Sequence, residues 1–221
     1  MPRTVAAIVL AIVALLPAAS SAQVSAPGPY VIDLRGAMSG APGSASFYPP
    51  VTTEIRVPQR AFGFGAGAHI YAFRIGVARL GFGADLMRAR GSATTAASTT
   101  STESSTSTAS AGTVLAAMTV TTIAPQLSFN FGSHEGWSYL SGGYGISTTH
   151  AKVDVRASVA GEAGTGSRDR HVSTLNVGGG ARWFLRERIA VGFDVRFHRL
   201  LATDAVAATQ IVGLSVGLSL R

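Results

Sequence analysis

The sequence predicts an all-β fold, an eight-stranded antiparallel up-and-down transmembrane β-barrel, and three observations support it. Bulky apolar residues alternate with small or polar ones over segments of about ten residues, as they do in strands with one apolar face. Such segments recur from about residue 29 to the end of the chain, joined by connections that are alternately short and long. Of the 221 residues, 47% are hydrophobic, only 13% are charged and 26 are glycine. A soluble globular domain carries about 25% charged residues.

The start of the chain has the composition of a secretory signal. Arg3 is followed by an apolar segment, residues 5–16, and then by the small residues Ser20-Ser21-Ala22 before Gln23. This order is typical of a cleaved signal peptide. Twelve apolar residues are too few for a helix that crosses a bilayer, which needs about 20. We therefore predict a signal peptide at residues 1–22, an exported domain at 23–221, and no helical membrane anchor.

The first three strands are predicted at about 29–40, 62–71 and 78–87. The segment between the first two, residues 41–57, contains several prolines and is predicted to be a loop. A short turn near Phe73-Arg74 should join the second and third strands. Residues Gly91–Thr113 are almost entirely Ser, Thr, Ala and Gly. Because this composition buries little apolar surface, we expect a mobile loop there.

The second half of the chain adds five strands. The fourth, at about 114–131, contains Pro125, which removes a ladder donor and suggests a bulge. A short turn at 132–136 precedes the fifth strand, at about 139–147. Residues His150–Arg170 form a third long connection, although the alternation at 152–156 could extend the strand.

The clearest pair of strands, the sixth and seventh, follows at 175–185 and 189–198. Their shared apolar face carries Leu175, Val177, Trp183, Leu185, Val191, Phe193, Val195 and Phe197. The turn Arg186-Glu187-Arg188 separates them, and the last strand is expected at 212–220.

Closing the sheet into a barrel removes the exposed edges of eight such strands. A soluble lipocalin-like barrel would bury the bulky face around a ligand, whereas a membrane barrel turns it to lipid. Lipid is favoured because the opposite face is mostly Gly, Ser and Ala with a few charges, which suits a narrow interior. With both termini in the periplasm, the short turns are periplasmic and the long loops extracellular, as in outer-membrane barrels.

Aromatic residues near the short turns provide the third argument for a membrane barrel. They are Tyr71, Phe73, Phe131, Trp137, Tyr139, Trp183 and Phe184. Aromatic side chains are enriched at the two membrane–water interfaces. We therefore expect a periplasmic aromatic girdle, formed chiefly by Tyr71, Phe73, Trp137, Tyr139 and Trp183.

At this point the sequence resembles the small outer-membrane β-barrel domains of the OmpA/OmpX type over about residues 28–221. The resemblance is one of pattern and depends on residues 178–184 (Gly-Gly-Gly-Ala-Arg-Trp-Phe), 193–197 (Phe-Asp-Val-Arg-Phe) and the alternating last strand. It implies a barrel in the cell outer membrane, inserted by the assembly machinery of that membrane. The family's last strand usually ends in an aromatic residue, whereas this chain ends in Leu220-Arg221.

Charged and polar residues on the predicted lumen face are the main candidate site. They are Asp33, Arg35, His69, Arg79, Asp85, Arg182, Asp194, Arg196 and His198. The interpretation we favour is a paired network that fills the lumen, since unpaired charges there would be costly. The alternative is a charge-lined passage for small solutes. No metal site is expected, because no His-x-x-x-His motif or carboxylate cluster accompanies His69 or His198 and the chain has no cysteine.

An enzyme hypothesis depends on Asp169, His171 and Ser173, which share a strand face. An acid, a base and a hydroxyl within hydrogen-bond reach could activate the serine, and the His-x-Ser spacing is similar to that of outer-membrane lipid A deacylases. Residues two apart on a strand, however, are about 6.6 Å apart, which is longer than a hydrogen bond. The polar end of a strand that leaves the membrane explains the same residues. We expect no catalysis and no cofactor.

The formal charge is +7, but the arginines are dispersed and do not cluster with aromatic residues. Nucleic acid is therefore not an expected partner. A basic exterior suits anionic lipid head groups, so we expect contact with outer-membrane lipids, including lipopolysaccharide. The long loops favour an interaction role with an extracellular partner that the sequence does not identify.

Overall fold

The computed structural model describes residues 29–51, 55–100, 109–132, 135–157 and 164–221. Eight antiparallel strands form one closed barrel in which each strand pairs with its sequence neighbours and the last pairs with the first. The strands are β1 (Tyr30–Gly40), β2 (Arg60–Ile75), β3 (Ala78–Thr100), β4 (Ala109–Gly132), β5 (Gly136–Ala157), β6 (Gly164–Arg186), β7 (Ile189–Leu200) and β8 (Thr209–Leu220). The predicted fold is confirmed. The predicted signal peptide, residues 1–22, lies outside the described residues.

The short connections all lie at the end of the barrel that holds the beginning of β1 and the end of β8. The first is at Gly76-Val77, and not near Phe73-Arg74 as the sequence suggested. Two features explain the difference. Gly76 has a φ of +59°, a backbone conformation that favours glycine. The β2–β3 register also shifts between Ile70 and Phe73, which adds one residue to β2 before the turn.

Strands β3 to β6 extend well beyond the other four at the opposite end. Residues 91–113 were predicted to be a mobile loop, and this is wrong for the described part: β3 continues to Thr100 and β4 begins at Ala109 in unbroken register. The predicted connection at 150–170 is likewise mostly strand, since β5 reaches Ala157 and β6 starts at Gly164. Threonine and valine favour strands, and Ala151 and Val153, which point inward from the extended part of β5, are buried.

Pro125 does not create the predicted bulge. The β3–β4 register passes through the pair Ala84–Pro125 without a shift. Between β4 and β5, the pairs at Ala124 and Pro125 are missing, but the register on either side is the same. Because proline lacks an N–H, it interrupts the ladder there without displacing it.

The outer surface of the barrel is an apolar band. Examples from six strands are Leu34, Phe64, Leu127, Leu140, Val177 and Val216, which are 48–66% exposed. A soluble monomer rarely exposes a continuous apolar surface of this kind. The bulky face therefore points outward, which excludes the lipocalin-like alternative. Within the described residues, no helix is long and apolar enough to cross a membrane.

Three of the five residues predicted to form the aromatic girdle do not face the membrane. Phe73 and Trp183 are on the outer surface, with 54% and 52% of their areas exposed. Tyr71, Trp137 and Tyr139 instead point into the barrel and are at most 4% exposed. The extra residue in β2 explains the difference between Tyr71 and Phe73, because it brings Phe73 to the outer face, opposite Leu80. Proximity to a turn was therefore a poorer guide to orientation than the alternation itself.

Candidate functional site

The candidate site is the interior of the barrel at the level of the apolar band. Three arginines and three aspartates converge there from four strands, and all six are buried. They are Asp33 and Arg35 on β1, Asp85 on β3, Arg182 on β6, and Asp194 and Arg196 on β7. Each lies on the face opposite the bulky residues of its strand, as the period-2 pattern requires. The six charges sum to zero, so the arrangement can be paired internally.

Arg182 and Asp33 form the part of the network nearest the short turns. Arg182 Nε donates to Asp33 Oδ1 at 2.9 Å and Arg182 Nη2 donates to Asp33 Oδ2 at 2.7 Å. Ser219 Oγ donates to the same Asp33 Oδ1 at 2.5 Å and accepts from Arg182 Nε at 3.1 Å. The guanidinium also lies 3.9 Å above the centre of the Tyr139 ring. This two-bond pairing of arginine and carboxylate crosses the barrel from β6 to β1 and fixes both side chains.

Asp194 is the centre of the network. It accepts from Arg196 Nη2 at 2.9 Å and Nε at 3.2 Å, and from Tyr139 Oη at 2.7 Å. Its second cation is Arg35, whose Nη1 lies 3.5 Å from Asp194 Oδ1. Arg35 is in turn paired with Asp85 on β3. Strands β1, β5 and β7 are thereby connected through one carboxylate, and β3 is connected to them through Arg35.

Neutral polar groups extend the network. Arg196 donates to Ser141 Oγ at 3.0 Å and to Asn176 Oδ1 at 3.3 Å. Gln126 Nε2 also donates to Asn176 Oδ1, at 2.9 Å, and Gln126 Oε1 lies 3.3 Å from His69 Nε2. His69 is thus linked to the charged residues through Gln126 and Asn176. Gln126, Asn176 and Ser141 could not be identified from the sequence, because their side chains are uncharged and do not stand out among the other polar residues.

Two of the predicted lumen residues are not hydrogen-bonded to the charged network. His198 is 1% exposed, and neither of its ring nitrogens has a hydrogen-bond partner. Arg79 is half-buried near the short-turn end, and its Nε has no partner. Both side chains share the lumen face with the others, and His198 bounds the same cavity as Arg35, Asp85 and Arg196 without a hydrogen bond to them.

The space left inside the network is very small. A cavity of about 20 Å³ is bounded by Arg35, Asp85, Arg196, His198 and Ser215. A second, of about 10 Å³, lies beside Asp33, Tyr139 and Arg182. A cavity of this size holds about one water molecule.

The interior of the extended end is apolar, and it is covered by the connection between β1 and β2. The short 3-10 helix Ala45–Phe47 turns this connection inward, so that Phe47 and Tyr48 are 0% and 1% exposed. The apolar cap, as we call this cluster, comprises Phe47, Tyr48, Val114, Ala116, Met118, Val120, Ala151, Val153, Val172, Leu200, Val206 and Ile211. Burial raises the pKa of Tyr48 to about 12. The sequence predicted only a loop at 41–57, since a proline-rich segment has no periodicity from which burial can be read.

The opposite end of the lumen is filled by aromatic side chains. Tyr71, Trp137 and Val31 are buried together, and Phe184 packs against them. The Trp137 and Phe184 rings meet edge to face with centroids 4.9 Å apart. The Arg221 guanidinium lies 4.4 Å from the centre of the Phe184 ring. The charged network is therefore enclosed between an aromatic layer and the apolar cap.

The residues of the enzyme hypothesis lie outside the lumen on the extended part of β6, and they do not form a catalytic arrangement. His171 Nδ1 lies 3.1 Å from Thr148 Oγ1, and Asp169 Oδ1 lies 2.5 Å from His150 Nδ1. Each therefore pairs across to β5, and neither contacts Ser173. Nearby, a hydrogen bond donated by Thr165 lowers the pKa of Asp154. In the part of the chain that the structure describes, no three His, Asp or Glu side chains are grouped to hold a metal ion.

Comparisons with known proteins agree with this architecture. A family model described as the outer membrane protein beta-barrel domain matches residues 8–219. Among solved structures, the chain is similar to Ail, the attachment invasion locus protein of Yersinia pestis, with a TM-score of 0.50 and 13% identity over 86% of this chain and 96% of that one. It is also similar to Neisserial surface protein A, with a TM-score of 0.49 and 15% identity over 88% and 97% of the two chains. At this level of identity the likeness concerns the fold alone. No curated protein matches the sequence.

Proposed function

This chain belongs to the outer membrane protein β-barrel family and is located in the outer membrane, and we propose that it is a closed barrel with a structural or surface-interaction role. The filled lumen is the observation that supports this proposal. Three arginines and three aspartates pair within it, and the cavities between them are about 20 and 10 Å³. An eight-stranded barrel leaves an interior only wide enough for its own side chains. Function then depends on what lies outside the lumen.

Conductance in a planar lipid bilayer tests the closed barrel. The purified protein should produce no stable open steps, because the aromatic layer, the network and the apolar cap block the lumen in series. Stable steps in the wild type that disappear in an Arg196→Ala or Arg79→Ala variant would refute the closed barrel and support a narrow channel. The channel has one observation in its favour: both cavities are bounded by Arg35, so movement of that side chain is what a passage would require.

The proposed role is non-catalytic and needs no cofactor. Support comes from the outer face of β6, where Asp169 and His171 are paired with β5 residues and not with Ser173. Incubation of the protein with lipid A tests this role. No acyl chain should be released by either the wild type or a Ser173→Ala variant, whereas release by the wild type alone would overturn the proposal.

The route of the protein to the outer membrane forms part of the same proposal. Residues 1–22 act as a signal peptide and are removed, so the mature domain begins at Gln23. The assembly machinery of the outer membrane then inserts the barrel, which is surrounded by lipids including lipopolysaccharide. The intact mass of protein purified from outer membranes tests the cleavage. A mass that includes residues 1–22 would contradict it.

A further inference from the structure

Three arginines form a group on the outer surface, at the edge of the apolar band nearest the extended end of the barrel. They are Arg60 on β2 and Arg88 and Arg90 on β3, and all three are exposed. Arg90 pairs in register with Phe62, and Arg88 pairs with Phe64. The backbone of Arg60 is packed against Gly91, so it lies beside the next residue of β3. The group therefore occupies adjacent positions on two neighbouring strands.

The spacing allows the three guanidinium groups to meet on one ligand. Arg88 and Arg90 are two residues apart on one strand, a separation of about 6.6 Å. Arg60 and Arg90 are diagonal neighbours across the pair of strands, at about 7–8 Å, which is within reach of long side chains. On the other side, Arg90 pairs with Thr119 and Arg88 with Thr121. The hydroxyl groups of these outward-facing threonines could add hydrogen-bond donors at the same level.

Within the ranges that the structure describes, none of the three arginines forms an ion pair. On the outer face of β5 and β6 the arrangement is different, because His150 is paired with Asp169 and the Lys152 Nζ atom lies 3.6 Å from Asp154 Oδ2. Like charges on neighbouring strand positions repel each other. An anion from outside the protein would remove this repulsion.

The position of the group indicates which anion. Phe62 and Phe64, which are 63% and 48% exposed, lie directly beside Arg90 and Arg88 on the neighbouring strand, and the rest of the apolar band continues from them towards the short turns. A ligand there must have an anionic head at the level of the arginines and apolar chains along the band. Arginine binds phosphate through paired hydrogen bonds in a fixed geometry.

We propose that Arg60, Arg88 and Arg90 bind a phosphate group of the lipid A moiety of lipopolysaccharide. The proposal rests on the outer-membrane placement and extracellular orientation given above, but not on whether the lumen conducts. The acyl chains lie against Phe62 and Phe64, and the phosphate is held by the three guanidinium groups. This is a specific lipid contact at one sector of the barrel, between β2 and β4.

Native mass spectrometry of the protein in neutral detergent micelles, titrated with bisphosphoryl lipid A, tests the proposal. The test variant is R60Q/R88Q/R90Q. The matched control is R74Q/R186Q/R188Q, which removes the same number of exposed arginines at the short-turn end. The different gel mobility of boiled and unboiled samples verifies that each variant is folded. A near-surface arginine contributes about fivefold to binding of an anionic lipid, so the test variant should bind lipid A about a hundredfold more weakly.

The control variant should bind lipid A within about twofold of the wild type. Lipid A from which both phosphates have been removed should bind wild type and test variant equally, and phosphatidylglycerol should not distinguish the two variants. Equal loss of lipid A binding in both variants would show a general effect of charge and overturn the proposal. Unchanged binding in the test variant would overturn it as well. Either result leaves the closed-barrel proposal untouched, because conductance tests that separately.

Discussion

Asp194→Ala should be among the most destabilising single substitutions in the barrel. The carboxylate accepts two hydrogen bonds from Arg196 and one from Tyr139 Oη, and it lies 3.5 Å from Arg35 Nη1. Its removal leaves two buried arginines short of a counter-charge and a buried phenol without an acceptor. Breaking a buried ion pair costs about 3–5 kcal/mol. We therefore expect the free energy of unfolding to fall by about 3–5 kcal/mol.

The measurement is equilibrium unfolding by guanidinium in lipid vesicles, followed by tryptophan fluorescence. Asp169→Asn is the matched control, because Asp169 is also paired, with His150, but its side chain is 64% exposed. An exposed pair contributes about 0–1 kcal/mol. The double variant Asp194→Ala/Arg196→Ala should lose less than the sum of the two single losses, since one unpaired charge is removed with its partner. A loss below about 1 kcal/mol in Asp194→Ala would mean that water solvates the network, and the reasoning from a filled lumen would be wrong.

Three further predictions concern the cap, its tyrosine and the closely packed wall. Phe47→Ala should lower the free energy of unfolding by about 3–5 kcal/mol and make residues 41–51 sensitive to added protease. Unchanged protection of this segment would contradict a buried cap. The Tyr48 phenol should ionise near pH 12, which the difference in tyrosinate absorbance between wild type and Tyr48→Phe would measure. Because burial raises its pKa, the contribution of Tyr48 to stability is present below about pH 10 and is lost as the pH rises towards 12. A titration near pH 10 would show that the ring is solvated. Gly180→Ala should impair folding, because the added Cβ would collide with the Phe193 backbone in the wall of the barrel. The control Gly43→Ala has open space around it and should fold normally. Equal folding of the two variants would refute close packing between the strands at Gly180.

The strands and their faces could be predicted from the sequence because alternation is a local property. A bulky residue at every second position states directly which side chains share a face, and the inward positions of Asp33, Arg182 and Asp194 follow from it. The pairing of these residues could not be predicted. Which aspartate pairs with which arginine depends on the stagger of the strands around the barrel and on packing across it. Neither can be predicted from the sequence of a single strand.

The errors in the strand boundaries have a common cause. In 91–100 and 164–170, small and polar residues occupy both faces, so there is no hydrophobic contrast to indicate a strand. Pairing with a neighbouring strand decides the structure there, through a register continued from the membrane-level part of the hairpin. Tyr71, Trp137 and Tyr139 differ from the prediction for another reason. Their orientation follows the alternation of their own strands, which the general preference of aromatic residues for the membrane interface does not override.

The apolar cap shows what local patterns miss altogether. Phe47 and Tyr48 lie in an irregular connection, and their burial depends on Val114, Met118 and Val153 from distant strands. The structure therefore adds a closure at the extended end that the sequence did not suggest. In the predicted orientation, with the short turns in the periplasm, the extended end and the cap face the outside of the cell, and the proposed surface-interaction role is to be tested there.

The most direct test of the closed lumen is the reactivity of a cysteine placed inside it. The chain has no cysteine, so a Ser215→Cys variant carries a single thiol at the cavity bounded by Arg35 and His198. Ala205→Cys, in an exposed connection, serves as the accessible control. With a charged, membrane-impermeant thiol reagent, we predict rapid labelling of Ala205→Cys and labelling of Ser215→Cys only after unfolding. Rapid labelling of folded Ser215→Cys would show an open, water-filled lumen and contradict the account.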